Sequence, residues 1–226
     1  MKHILDNPIW GSLTTRSKNL ANGNQLAKYY HPEVSSFAGL RDNSGDDFKN
    51  LHQLVPHNTD IRIFTPGEII IPDYWTIIQQ VNIFQMVYKG SDQLTSPHQS
   101  FVQLSEKDIP GMMALVRLTN PGPFLSRSID FGYYEGIFDG DHLVAMAGQR
   151  MQPDGYTEIS AVCTHPDYLG KGYAFMLISN QIRCITAASQ TPFLHVFPGN
   201  LSAVNLYKKL GFETRREMTV YTLQKQ

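Results

Sequence analysis

From residue 98 onward the hydrophobic and polar positions form a regular pattern. Residues 98–104 alternate as a strand. Ser105 then offers an N-cap, with Asp108 three positions later to complete the pairing that opens a helix. Met112, Met113, Leu115, Val116 and Leu118 give that helix an apolar stripe, and Asn120-Pro121-Gly122-Pro123 ends it. Residues 131–138 and 143–151 read as strands joined by the hairpin signal Asp139-Gly140-Asp141. Gln152-Pro153-Asp154-Gly155 turns the chain into a strand over 156–164. A glycine-containing corner follows, then a helix over about 171–188, a strand over 193–197, a helix over 201–210 and a strand over 214–223. This order predicts an α/β domain over residues 98–226, a mixed sheet with helices on its faces.

Residues 1–97 give weaker signals and read as an N-terminal α/β extension. Strands are expected over 61–64 and 68–71, around the turn Thr65-Pro66-Gly67. The apolar positions of 75–87 suit an amphipathic helix and a strand pair equally. Residues 90–97 have the composition of a linker, and no internal repeat is evident.

Composition narrows the partners. The 19 basic and 20 acidic residues leave a net charge of −1, so no nucleic-acid partner is expected, because duplex binding needs a basic face. The most apolar window, 68–88, is broken by Pro72, Asp73, Gln79, Gln80 and Asn82, which excludes a membrane span. The first residues lack the long apolar run of a secretory signal. Cys163 and Cys184 are the only cysteines, and no histidines stand in HxxxH spacing. Neither a disulfide framework nor a metal site is expected, and a reducing cytoplasm is the expected compartment.

Two stretches carry candidate chemistry. In the first, the strand ending Val162-Cys163-Thr164 runs through His165-Pro166-Asp167-Tyr168 into Leu169-Gly170-Lys171-Gly172-Tyr173-Ala174. A strand that enters a helix through a glycine-rich corner presents unpaired backbone N–H groups, a seat for a phosphate or pyrophosphate. In the second, Asn200 is a good N-cap for a helix carrying Ala203, Leu206-Tyr207 and Leu210-Gly211-Phe212. Cys163 beside His165 invites a nucleophile reading, but a buried strand thiol is the commoner case.

Together these stretches resemble the GNAT superfamily of N-acetyltransferases over about residues 98–226. The family's acyl-CoA loop, Gln/Arg-x-x-Gly-x-Gly/Ala, is matched from Leu169 to Ala174, with Leu in the first position. The late motif is matched by Asn200, Ala203, Leu206-Tyr207 and Leu210-Gly211-Phe212. The tail is also similar to glycine N-acyltransferase-like domains. The resemblance implies a mixed, mostly antiparallel central sheet flanked by helices. It also implies transfer of an acetyl or other short acyl group from CoA to a small-molecule or peptide amine. The pantetheine arm would lie along Val162, Cys163 and Thr164, with Asn200 and Ala203 nearby. The pyrophosphate would sit on the amides of Leu169, Gly170, Lys171, Gly172, Tyr173 and Ala174. Tyr207 would protonate the leaving thiolate, and Glu158 or its rival His195 would take the proton of the amine. Arg127 and Tyr134 flank the expected acceptor pocket, where Arg127 is either a carboxylate clamp or a solvated loop residue. A non-catalytic acyl-CoA-binding or sensing module is the alternative, and the chain is expected to be a monomer or a homodimer.

Overall fold

The computed structural model describes residues 3–90 and 101–225. The chain begins with α1 (Pro8–Thr14) and a small antiparallel sheet of β1 (Ala21–Gly23), β2 (Ala27–Tyr30) and β3 (Ala38–Leu40). These are followed by α2 (Gly45–Leu54), β4 (Asp60–Thr65) and β5 (Trp75–Tyr88). The second half contains β6 (Val102–Gln103), α3 (Ile109–Thr119), β7 (Tyr134–Asp139), β8 (His142–Gln149) and β9 (Tyr156–Thr164). It ends with α4 (Tyr173–Ala187), β10 (Thr191–Val196), α5 (Leu201–Lys209) and β11 (Phe212–Lys225).

Local chemistry explains most boundaries. Ser105 and Asp108 form the expected capping box ahead of α3, with the Ser105 amide 2.8 Å from the Asp108 carboxylate. Asn120 adopts left-handed backbone (φ 45°) and, with Pro121, stops α3. Ser44 and Asp47 cap α2 in the same reciprocal way.

The main sheet has the strand order β4–β11–β5–β10–β9–β8–β7–β6. β9 and β10 form its parallel pair, and the other neighbours run antiparallel, as expected of the mixed sheet. Residues 75–88, open between a helix and a strand pair on sequence, are one long strand. That strand lies between β10 and β11, with Val87 opposite Phe193 and Val220 opposite Val81. The expected boundary at residue 97 is therefore not a break in the sheet. The strand expected over 68–71 is a loop in which Ile70 is 90% exposed, while the Ile69 amide donates to the Tyr221 hydroxyl. Of the strand expected over 98–104, residues 102–103 pair with β7. Residues 98–100, and all but Gly90 of the expected linker, lie outside the described residues.

Successive side chains of a strand point to opposite faces. One face packs α4 and α5 over Met86, Leu194 and Phe212. The other packs α1 over Phe64, Phe193 and Met218. No helix among the described residues is long and apolar enough to cross a membrane.

β5 is contributed by the N-terminal half, and without it β10 loses its antiparallel neighbour and β11 loses most of its own. Residues 98–226 alone are expected to show no cooperative thermal transition by circular dichroism. A transition as sharp as that of the full chain would mean that β10 and β11 find another pairing.

Candidate functional site

The site begins where two strands part. β9 and β10 are paired at Tyr156–Thr191, Thr157–Pro192 and Glu158–Phe193 and no further, although β9 continues to Thr164 and β10 to Val196. Beyond Glu158 the edge of β9 that faced β10 has no strand partner. A bulge bends β9 here: Ser160 stands opposite Gly148 and Cys163 opposite Met146, so Ala161 and Val162 share Ala147. Ala161 takes φ +51°, a left-handed conformation that costs a non-glycine residue about 1–2 kcal/mol. The parted strands leave an open edge of backbone N–H and C=O groups running from the bulge to the corner after β9.

At that corner His165 accepts a hydrogen bond from the Asp167 amide and starts a short 3₁₀ turn. Gly170 (φ +77°) and Gly172 (φ +78°) then adopt backbone that favours glycine, and Gly172 caps α4. A Cβ added at either would meet nothing within 4 Å, so the space above the loop is open. The amides of Gly170, Lys171, Gly172, Tyr173 and Ala174 donate to no backbone carbonyl among the described residues. They stand at the positive end of the 15-residue α4. Lys171 lies 4.3 Å over the Tyr168 ring, and Leu169 is exposed and adds no polar group. The corner thus has the geometry expected of an anion seat, built from backbone alone.

α5 closes the other side. The Asn200 side chain accepts from the Ala203 amide at 3.1 Å, which caps the helix and leaves its own amide nitrogen without a protein acceptor among the described residues. Tyr207 is buried beside Val162, Val204 and Val196. Burial, and then the nearby Cys163, push its phenol up to about 12, and its hydroxyl has no protein partner among the described residues. Cys163 is buried, and burial pushes its thiol up to about 11, which makes it an inert strand cysteine.

Glu158 is placed differently from the free base expected of it. It is fully buried, at the last rung shared by β9 and β10. Arg150 grips it with two bonds, of 2.8 and 2.6 Å, and His195 Nδ1 lies 2.7 Å from the same carboxylate. Burial pushes its carboxyl up, but Arg150 and His195 outweigh that and hold it at about 2. So low a carboxyl is a weak proton acceptor. His195 is no freer, because Gln85 Nε2 lies 3.1 Å from its Nε2. Gln85 is fixed in turn by the Leu5 carbonyl at 2.9 Å and by Arg215 at 2.8 Å, and Arg215 pairs with Asp6 at 2.7 Å. The Gln85 amide nitrogen is thus a donor, so His195 Nε2 accepts and its Nδ1–H donates to Glu158.

Two other expected residues also lie elsewhere. Arg127 is bidentate with Asp130, both bonds at 2.9 Å, and also reaches Glu106, so its charge is already compensated. Tyr134 is a core ring, 2% exposed, whose hydroxyl donates to the Ser128 carbonyl.

A cavity of about 760 Å³ opens on the sheet face that carries His195. Phe37, Phe64 and Phe124 give it an apolar wall, and Arg62, Arg117 and Arg150 stand around it. Sequence reading missed these arginines and Gln85, since only the fold joins β4, β5 and α3 at this place. A charged residue closing the apolar run 143–151 was the one visible hint of Arg150.

The FR47-like protein family matches residues 134–221. A crystal structure of a GNAT-family protein from Novosphingobium aromaticivorans, assigned as an acetyltransferase, is 32% identical over the whole of both chains, with a TM-score of 0.91. A GCN5-related N-acetyltransferase from Kribbella flavida superposes with a TM-score of 0.60 at 14% identity, over 97% of this chain and 95% of its own. A GCN5-related N-acetyltransferase-like protein from Streptococcus suis gives 0.53 at 16% identity, over 90% and 82%. No curated protein matches the sequence significantly.

The ion pair at Glu158 sets a stability test. Its carboxyl is lowered from 4.5 to about 2 on folding, so the stabilisation is complete above pH 4.5 and is lost as the pH falls toward 2. Glu158→Gln strands a buried Arg150 and should cost about 3–5 kcal/mol near neutral pH, read by urea unfolding. The variant should also lose less stability than the wild type over that acid window. Equal stability of the two proteins at neutral pH would show that the pair holds nothing.

Proposed function

Because the chain belongs to the GNAT family, whose members are acyltransferases, we propose that it transfers an acetyl or other short acyl group from CoA directly to an amine. The observation that carries this reading is the juxtaposition at the parted strands. An open β9 edge leads to free helix-start amides, and Tyr207, whose hydroxyl has no protein partner among the described residues, belongs to the apolar cluster against which Val162 packs.

In this reading the pantetheine amides pair with the edge at Val162, Cys163 and Thr164. The pyrophosphate sits on the amides of Gly170 to Ala174, and the free amide nitrogen of Asn200 donates to the pantetheine arm. Leu169 replaces the family's polar residue at no cost to this seat, since the backbone supplies the donors. Tyr207 keeps its proton at neutral pH and gives it to the departing CoA thiolate. The transferred acyl carbon exchanges its bond to sulfur for one to nitrogen, and the amine releases one proton. Glu158 and His195 serve as a fixed frame, and that proton passes to solvent in the cavity, which returns one to the Tyr207 phenolate. Arg150 and its neighbours favour the process there by disfavouring an ammonium. Most of the rate then comes from holding amine and thioester together.

The non-catalytic reading would make Tyr207 plain core packing; a buried ring whose hydroxyl bonds to no protein group among the described residues is open to a ligand as well. β4 and β5 complete the sheet, and Phe37, Arg62 and Phe64 wall the proposed acceptor cavity. Both cysteines are free thiols, which suits a reducing cytoplasm.

Two variants test the assignment. Tyr207→Phe should lower kcat by about tenfold to a thousandfold, with CoA affinity little changed, since the ring remains. Full turnover in that variant would return Tyr207 to packing. Gly172→Asp should weaken CoA binding by about tenfold or more in calorimetry, by placing a negative charge against the pyrophosphate. Unchanged affinity in a folded variant would remove the loop from the binding site.

A further inference from the structure

We infer that the amine acceptor carries a carboxylate, bound by Arg62 and Arg117 at the cavity on the His195 face, with an apolar body against the phenylalanines. The inference rests on the acyltransferase reading and names the substrate class of that site.

The cavity lies where an acceptor must lie. Val196, the last residue of β10, lines the cavity and also packs in the cluster that holds Tyr207. The acceptor space and the proposed thioester end therefore meet at one residue. Phe197, next in the chain, stands at the cavity and is 59% exposed.

Charge around the cavity is one-sided. Arg62, Arg117 and Arg150 line it, and none of its lining residues is acidic. Arg150 is answered by Glu158, which it holds through Nε and Nη2, leaving Nη1 without a protein acceptor among the described residues. Arg62 donates to the neutral Ser36 hydroxyl at 2.6 Å and pairs with no carboxylate among the described residues. Arg117, in the last turn of α3, likewise has no carboxylate partner among the described residues. Arg127, the clamp expected from sequence, is by contrast already answered by Asp130 and Glu106. Two uncompensated guanidinium groups beside an apolar wall favour a ligand with a planar anion on an apolar body. A purely cationic acceptor, such as a polyamine or a lysine side chain without a carboxylate, meets repulsion there. An amino acid with a hydrophobic side chain combines the required amine, carboxylate and apolar body.

The test measures thiol release from acetyl-CoA with amine pairs that differ only by the carboxylate: phenylalanine against phenethylamine, and leucine against isoamylamine. The carboxylate member of each pair should have at least a tenfold higher kcat/KM. The Arg62→Gln, Arg117→Gln double variant should bring that ratio toward one, with its thermal transition as the fold control. Equal or better use of the amines that lack the carboxylate, or a ratio that survives the double substitution, would overturn the inference. In parallel, calorimetry compares N-acetylphenylalanine with N-acetylphenethylamine, which probes the cavity without turnover. At least tenfold tighter binding of the acid supports the inference, and equal or absent binding of both overturns it. Failure of the acyltransferase reading itself would appear separately, as absence of acetyl-CoA binding in the same samples.

Discussion

A carboxylate buried where two strands separate governs this structure. An ionised group in a protein interior must be paired, and Glu158 takes both partners it needs from other strands: Arg150 from the end of β8 and His195 from β10. The pairing fixes the last common rung of β9 and β10. Below it the strands share a ladder, and above it they part. His195 passes the constraint to Gln85 on β5, and Gln85 passes it to the Leu5 carbonyl and Arg215. One connected set of polar groups thus ties the opening of the cleft to the N-terminal segment.

Two binding spaces follow from the parted strands. One is the open β9 edge, with its bulge at Ala161 and the free amides at the start of α4. The other is the arginine-lined cavity on the opposite face, closed partly by residues from before residue 90. The N-terminal half therefore supplies β5 to the sheet and a wall to the cavity.

Elements made by local chemistry were legible from sequence. The turn at Asp139–Asp141, the Ser105–Asp108 capping box and the glycine corner before α4 each announce themselves within a few residues. Elements decided by distant partners were not. β5 hides its strand period because half of it faces a cavity or solvent, so Ile77 and Ile78 are exposed while Met86 and Val87 are buried. The stretch 68–71 looks like a strand, yet Pro66 and Pro72 bracket it and it pairs with no strand. Nothing marks the bulge at Ala161, since alanine is no signal for left-handed backbone. Glu158 and Tyr207 are candidate positions on sequence, but only the fold shows that Arg150 occupies the carboxylate and that the Tyr207 hydroxyl has no protein partner among the described residues.

The central claim is that acyl-CoA lies along the parted edge of β9 with its pyrophosphate on the start of α4. Amide hydrogen exchange of the full chain, with and without acetyl-CoA, tests it most directly. The account predicts slowed exchange over residues 159–164 and 170–176, with α2 unchanged. Protection that spares both segments while appearing elsewhere would contradict it.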